Sequence, residues 1–233
     1  MPLKKRLFMG LLAALAWPPL GAQEVLRGMI RLDLEPAPLF SRALEDAPQE
    51  PDQEAVYRRA LEEAARYFSA MIYGWSFYYD IGERARNIGE KLEPLEPLGA
   101  IAFGDPGLSA TDTQVKGWEF CLWTDYRLNE AQRRRVLGWK SGRIQNLQAI
   151  GQGPLGSAAG LSGDAAAKQA ALEDAARAGI RAALRGSERN RPKAVRGYIA
   201  LAEFPSYWID SGRLTVSARF YLEVTEIIPF SAY

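Results

Sequence analysis

The sequence contains no histidine and only one cysteine, Cys121, among its 233 residues. Without histidine, the chain has no Ser-His-Asp or Cys-His catalysis, no histidine proton shuttle and no histidine-ligated metal. A single cysteine excludes an intrachain disulfide and any multi-cysteine metal site. Cys121 lies in a strand pattern, where a free cysteine is more often a small buried side chain than a nucleophile. We therefore expect no catalytic residue, no cofactor and no metal site of these kinds.

The sequence also lacks an excess of positive or negative charge. The formal net charge is +1, from 29 basic and 28 acidic residues. Three of the basic residues, Lys4, Lys5 and Arg6, lie in the N-terminal segment, which leaves 26 basic against 28 acidic residues elsewhere. This balance gives no electrostatic basis for binding nucleic acid. The hydrophobic fraction of 48% and charged fraction of 24% are those of an ordinary globular protein, long enough for one large or two small domains.

Long hydrophobic runs are confined to the N-terminus. Met1–Ala22 has a basic start, an apolar run from Leu7 to Trp17, two prolines and a small-residue end, which predicts a secretory signal peptide cleaved near Ala22. The apolar run is too short to span a bilayer in the mature protein. We therefore predict an exported protein, periplasmic or associated with the outer envelope, with no stable transmembrane segment after cleavage.

A long alanine-rich helix followed by a strand hairpin is the most regular part of the chain. Asp164 is a candidate N-cap for a helix over Ala165–Arg185. Two strands are predicted next, at Gly197–Phe204 and Arg213–Ile227, and the second alternates strictly between apolar and polar residues. The Asp-Ser-Gly sequence at 210–212 supplies the turn between them.

An earlier segment repeats this order of elements. The heptapeptide Ala60–Arg66 matches Ala171–Arg177 with one conservative change. The first copy is predicted as a strand, a helix and two strands, at Glu24–Leu34, Gln53–Met71, Leu98–Phe103 and Thr113–Leu128; the second begins with a strand at Arg143–Ile150. We therefore predict an α+β fold made of a duplicated strand-helix-strand-strand unit, with an antiparallel sheet covered on one face by helices.

The predicted domain organisation follows from these units. Residues 23–128 form the first repeat, with an insertion at 75–97 that opens with the strand-prone segment Trp75–Asp80. Residues 129–163 form a linker with a short helix at Asn129–Val136 and a glycine-rich loop at Gly151–Gly163. Residues 164–233 form the second repeat. The Gly-Gln-Gly sequence at 151–153 is not a dinucleotide fingerprint, because its third glycine is misplaced.

Aromatic and basic side chains are the candidate binding residues. Aromatic side chains exposed on a sheet can stack on sugars or bind a partner protein, although half of the aromatic residues on a strand face the core. Clustered arginines can bind anionic groups, although such clusters more often form a solvent-exposed surface with no ligand. The candidates for ligand or partner binding are Tyr207, Trp208, Trp75, Trp123, Arg133, Arg134 and Arg135.

Carboxylates in and near the insertion at 75–97 are the basis of an alternative function, glycoside hydrolysis. Two acids facing each other can make a glycosidase. Their spacing singles out no pair and matches no calcium loop. The acids concerned are Glu83, Glu90, Glu93, Glu96, Asp105 and Asp112.

One stretch carries a resemblance to known proteins. Leu147–Gly153 ends in Gly-x-Gly and precedes a helix with repeating Ala-x-x-Ala over Asp164–Arg185. In this, about a third of the chain resembles exported α+β domains of bacterial cell-envelope and flagellar accessory proteins, except that it lacks a lipoprotein cysteine. The resemblance implies a non-catalytic envelope protein and carries over no site residues.

These observations together favour an exported, non-enzymatic envelope protein that binds or scaffolds another envelope protein or a glycan. The alternative is a carboxylate-dependent hydrolase acting on cell-wall glycan. A third alternative is a structural subunit whose aromatic residues become buried when it forms a homo-oligomer.

Overall fold

A computed structural model describes residues 24–34, 52–82, 87–154, 161–187 and 192–229. The predicted signal peptide, Met1–Ala22, and the candidate carboxylate Glu83 lie outside these ranges. The elements, in chain order, are β1 (Val25–Asp33), α1 (Gln53–Ile72), β2 (Trp75–Asp80), β3 (Lys91–Leu92), β4 (Glu96–Pro97), β5 (Leu108–Lys116), β6 (Glu119–Arg127), α2 (Glu130–Trp139), β7 (Gln145–Pro154), α3 (Leu161–Ser187), β8 (Ala194–Leu201), β9 (Ser206–Asp210) and β10 (Arg213–Ile228).

The strands form two antiparallel sheets, so the predicted α+β class is confirmed at that level. The smaller sheet has the order β1-β6-β5. The larger sheet has the order β3-β2-β8-β10-β7, with β4 paired to β2 and β9 paired to β10. In the described part of the chain, no helix is both long and apolar enough to cross a membrane.

Side-chain caps fix the starts of the first two helices. The Asp52 carboxylate accepts the Glu54 N–H at 3.0 Å before α1, and Asn129 and Gln132 form a reciprocal capping box before α2. The predicted cap of α3 was wrong. The helix already begins at Leu161, so Asp164 lies within its first turn and does not precede it.

The hairpin of the first half differs from its prediction. The run Thr113–Leu128 is not one strand: β5 and β6 reverse at Gly117 and Trp118, where Gly117 has a φ of 60°. A positive φ is easy for glycine and ends the ladder there. Residues 98–103, predicted as a strand, form none although they are all described. Trp118 is therefore an exposed turn residue and not part of the strand alternation.

The turn at 210–212 is confirmed, and the strand before it is a different one. Ser211 and Gly212 have φ values of 51° and 74°, as a type I′ hairpin turn requires. The turn joins β9 to β10, whereas the segment predicted at Gly197–Phe204 forms β8, which pairs with the far half of β10. The predicted apolar face of β10 is confirmed from Leu214 to Leu222, since Leu214, Val216, Ala218, Phe220 and Leu222 are all buried. Val224, predicted on the same face, is only half-buried, and Thr215, predicted on the polar face, is buried.

The predicted insertion at 75–97 contributes strands to the larger sheet. β2 occupies the residues predicted for it and pairs with β8 over its whole length, from Trp75 opposite Ile199 to Asp80 opposite Ala194. β3 and β4 then pair with β2. A segment from the first half of the sequence thus extends the sheet built by the second half.

Glycines allow α3 to approach β7 closely. A Cβ on Gly151 would lie 2.1 Å from the Ala175 nitrogen, and one on Gly153 would lie 2.5 Å from the Ala167 oxygen. Backbone therefore meets backbone, which only glycine on the strand permits. The loop predicted at Gly151–Gly163 is wrong for residues 151–154, which belong to β7, and for residues 161–163, which belong to α3. Residues 155–160 of that prediction lie outside the described ranges.

Candidate functional site

A buried polar network joins Glu63, Tyr67, Lys168 and Tyr207. The Lys168 ammonium lies 3.0 Å from one Glu63 carboxylate oxygen and 3.3 Å from the other. The Tyr67 hydroxyl lies 3.0 Å from Glu63 and 3.0 Å from the Tyr207 hydroxyl. Because an ionised carboxylate only accepts, Tyr67 donates its proton to Glu63 and Tyr207 donates to Tyr67. We call these four residues the polar network.

The polar network connects four elements, and three of its members, Glu63, Tyr67 and Lys168, are buried while Tyr207 is half-buried. Lys168 also donates to the Arg31 carbonyl oxygen of β1 at 3.0 Å, and the side chains of Lys168 and Glu63 are only 8% and 2% exposed. Burial, followed by the nearby Tyr207 and Glu63, raises the pKa of Tyr67 well above its ordinary value. The phenol therefore stays protonated and keeps donating. Tyr207, predicted as a binding residue, is engaged in this interior network.

A trough on the outer face of the smaller sheet is the candidate binding site. It has a volume of about 530 Å³, within the range of small-molecule sites. Met29 on β1, Trp123 on β6 and Asp112 on β5 lie in one row across the sheet. The trough is lined by Arg27, Gly28, Met29, Thr111, Asp112, Trp123, Thr124 and Asp125.

An irregularity in β5 shapes one wall of the trough. The register with β6 shifts between Ala110 and Asp112, so Thr111 is an extra residue at this point. Bulges of this kind bend an edge strand and redirect its side chains. The Thr111 hydroxyl donates to the Trp123 carbonyl oxygen at 3.3 Å, which keeps the bulged segment next to the tryptophan.

Charged groups surround the apolar floor of Trp123 and Met29. Arg27 and Asp125, directly opposite each other in the ladder, form an ion pair of 3.3 Å. One Asp112 oxygen accepts the Thr113 N–H at 2.8 Å. With one arginine and two aspartates, the trough carries a formal charge of −1 and offers both donors and acceptors beside an aromatic side chain.

Of the predicted aromatic residues, only Trp123 lies in the trough. Trp208 is 41% exposed on β9, in the larger sheet. Trp75 is partly buried on β2, opposite the fully buried Ile199. The structure thus places the predicted aromatic candidates at separate positions.

The three predicted arginines lie on α2 and engage neighbouring side chains. Arg133 and Arg134 both pair with Glu130, at 3.4 and 3.8 Å. The Arg135 guanidinium lies over the Tyr73 ring, 5.5 Å from its centre. None of the three lines the trough.

The predicted carboxylates are also dispersed. Glu90 accepts the Tyr79 hydroxyl at 2.7 Å and pairs with Arg181, and Asp105 accepts the Gly107 N–H at 2.8 Å. Glu93 and Glu96 are exposed, and Asp112 alone among the predicted acids lies in the trough. Asp125, which was not predicted, is the second carboxylate there.

Two observations concern metal binding and thiol reactivity in the described residues. They include no group of three or more acidic or cysteine side chains placed to hold a metal ion. Cys121 is buried, and burial, followed by Glu119, raises the pKa of its thiol. A raised thiol pKa disfavours the nucleophilic thiolate.

Sequence reasoning missed Arg27, Met29 and Asp125. Each belongs to a strand whose alternation assigns it to the polar face, so its position on that face was readable from the sequence. Their proximity was not readable, because it depends on the pairing of β1 with β6 across the intervening helix and β2.

A protein-family model matches residues 16–230. An uncharacterised protein of Treponema pallidum (strain Nichols) is 22% identical over 200 residues, covering 86% of this chain and 79% of its own length. No solved structure matches the chain. These findings do not extend to the resemblance with envelope and flagellar accessory domains, which stays a prediction.

Proposed function

We propose that this chain, which belongs to the family whose model spans residues 16–230, is an exported, non-enzymatic binding module of the cell envelope. Its ligand site is the trough, and its partner is another envelope protein or a glycan. The observation that carries the proposal is Trp123, an aromatic side chain flanked by Met29 and rimmed by charged groups inside a concave site. Sites of this kind combine apolar contact area with a few orienting polar groups.

The proposal of export rests on the sequence. The basic, apolar and small-residue regions of Met1–Ala22 support a cleaved signal peptide, and the absence of histidine supports a non-enzymatic role. The resemblance of the region from Leu147 to Arg185 to envelope domains agrees with this location.

We also propose that the chain is a duplicated unit. Its two halves share the heptapeptide at Ala60–Arg66 and Ala171–Arg177. Their strands follow the same spatial order, β1-β6-β5 in one half and β7-β10-β9 in the other. The acid at the fourth heptapeptide position bonds toward the first strand of its half in both cases: Asp174 accepts the Gln152 N–H at 3.0 Å, and Glu63 reaches the Arg31 carbonyl through Lys168.

A pull-down tests the binding module. Full-length protein is incubated with solubilised envelope of the producing organism, alongside Trp123→Ala and Trp208→Ala. Trp118→Ala is the matched control, because Trp118 is 55% exposed in the turn of the same hairpin and lies outside the trough. We expect Trp123→Ala alone to lose the retained material while keeping its circular dichroism spectrum. Equal retention of envelope material by all variants would show that the trough is not the binding site. Loss of the retained material in Trp208→Ala alone would place the binding site on β9.

The second candidate function is the wall-glycan hydrolase, because Asp112 and Asp125 line the same trough. A general acid needs a carboxyl group that holds its proton, which apolar burial favours. Asp112 is exposed and Asp125 is paired with Arg27, so neither has such surroundings. Release of reducing ends from purified wall, abolished by Asp112→Asn or Asp125→Asn, would establish the hydrolase and refute the binding module.

A further inference from the structure

We infer that the trough takes an uncharged sugar ring, a hexose or N-acetylhexosamine unit of a glycan, and selects against acidic sugars. The inference rests on the proposed function and names the ligand class of the same site. It follows from the aromatic side chain, the hydrogen-bonding groups around it and the sign of their charge.

The aromatic surface is provided by Trp123, which lies between Met29 and Asp112 in one cross-strand row. Neighbouring strands lie about 4.8 Å apart, so the row is roughly 10 Å wide. A pyranose ring presents axial C–H groups on one face, and the negative face of an indole attracts their slight positive charge. An aromatic side chain in a concave site of this width suits a flat, partly apolar ring.

The polar rim suits hydroxyl groups, since each hydroxyl both donates and accepts. Arg27 contacts Asp125 through Nε and its side chain is 79% exposed, so the guanidinium has further N–H donors to offer beside the trough. Asp112 uses Oδ1 for the Thr113 N–H, which leaves Oδ2 as an acceptor. Donor and acceptor therefore lie on opposite edge strands with Trp123 between them.

The charge of the trough separates sugar classes. Arg27 is already compensated by Asp125, so the remaining formal charge is the carboxylate of Asp112. A uronic acid or another anionic sugar placed over Trp123 would meet a trough whose net formal charge is −1, because Asp125 offsets the charge of Arg27 and nothing in the lining offsets that of Asp112. A neutral or N-acetylated sugar meets no such repulsion.

The test is isothermal titration of the full chain with neutral tetrasaccharides of glucose, mannose, galactose and N-acetylglucosamine, and with a tetragalacturonate. We expect at least one neutral tetrasaccharide to bind, about tenfold more weakly to Trp123→Ala, while Trp118→Ala binds like the wild type. We expect the wild type to bind tetragalacturonate about fivefold more weakly than the best neutral tetrasaccharide. Asp112→Asn, which removes the charge and keeps one acceptor oxygen, is expected to raise the ratio of uronate affinity to neutral-sugar affinity.

Tetragalacturonate binding as tight as the best neutral sugar would overturn the inference, as would neutral-sugar binding that Trp123→Ala leaves unchanged. If no tetrasaccharide binds but the pull-down retains an envelope protein through Trp123, the ligand class is wrong and the proposed function stands. If neither experiment depends on Trp123, both are wrong.

Discussion

Removing one charge from the polar network should destabilise the protein strongly. Glu63 and Lys168 form an ion pair of 3.0 Å with side chains 2% and 8% exposed, so either substitution breaks the pair in a buried site. Breaking such a pair costs about 3–5 kcal/mol. A domain of this kind is stable by roughly 5–15 kcal/mol, so Glu63→Gln or Lys168→Met should consume a large part of that margin.

A double-mutant cycle followed by urea unfolding measures the interaction. The double variant Glu63→Gln/Lys168→Met should be less destabilised than the sum of the single variants, by about 1–3 kcal/mol, because it removes both charges of the pair together. Glu54→Gln is the control, since Glu54 pairs with Arg58 at 3.1 Å with both side chains largely exposed, and such pairs contribute at most about 1 kcal/mol. Single variants costing less than about 1 kcal/mol, with an additive double variant, would refute the buried pair.

Two further predictions follow from contacts already described. Gly151→Ala should cost several kcal/mol or prevent folding, because its Cβ would lie 2.1 Å from the helix backbone at Ala175; thermal melting should show Gly142→Ala, whose Cβ meets nothing within 4 Å, to be nearly neutral. Stability should fall as pH rises above 10, because burial raises the pKa of Tyr67 in the folded state and the unfolded phenol releases its proton first. Tyr67→Phe should flatten this alkaline decline in urea titrations between about pH 9 and 11, and an unchanged slope would contradict the assignment.

Local sequence patterns were sufficient to predict most individual helices and strands. In α1, Val56, Ala60, Ala64 and Phe68 recur at helical spacing and all are buried, so the periodicity alone defines the helix. The β5–β6 turn was missed because Gly117 interrupts an otherwise continuous alternation without Asn or Asp beside it. The glycine's positive φ is a property of the folded backbone.

Pairings between strands from distant segments could not be predicted from the sequence. β2 was predicted as a strand, but its partner β8 comes from the other half of the chain, and nothing local selects that partner. Trp123 was predicted as a binding residue from its type, whereas its neighbours Arg27 and Asp125 are brought together by the β1–β6 register. Gly151 was assigned to a loop because the close approach of a helix backbone is a tertiary requirement.

The hydrogen bonds at the outer margins of β1 and β7 have a consequence for solubility. Each of these strands lies at an edge of its sheet, and an unpaired strand edge is a template on which further chains can add and aggregate. At Gln152, an incoming strand would have to displace the Asp174 carboxylate. At Arg31, it would have to displace the Lys168 ammonium and expose the buried charge of Glu63. The same side chains that tie helices to sheets therefore also oppose runaway strand addition.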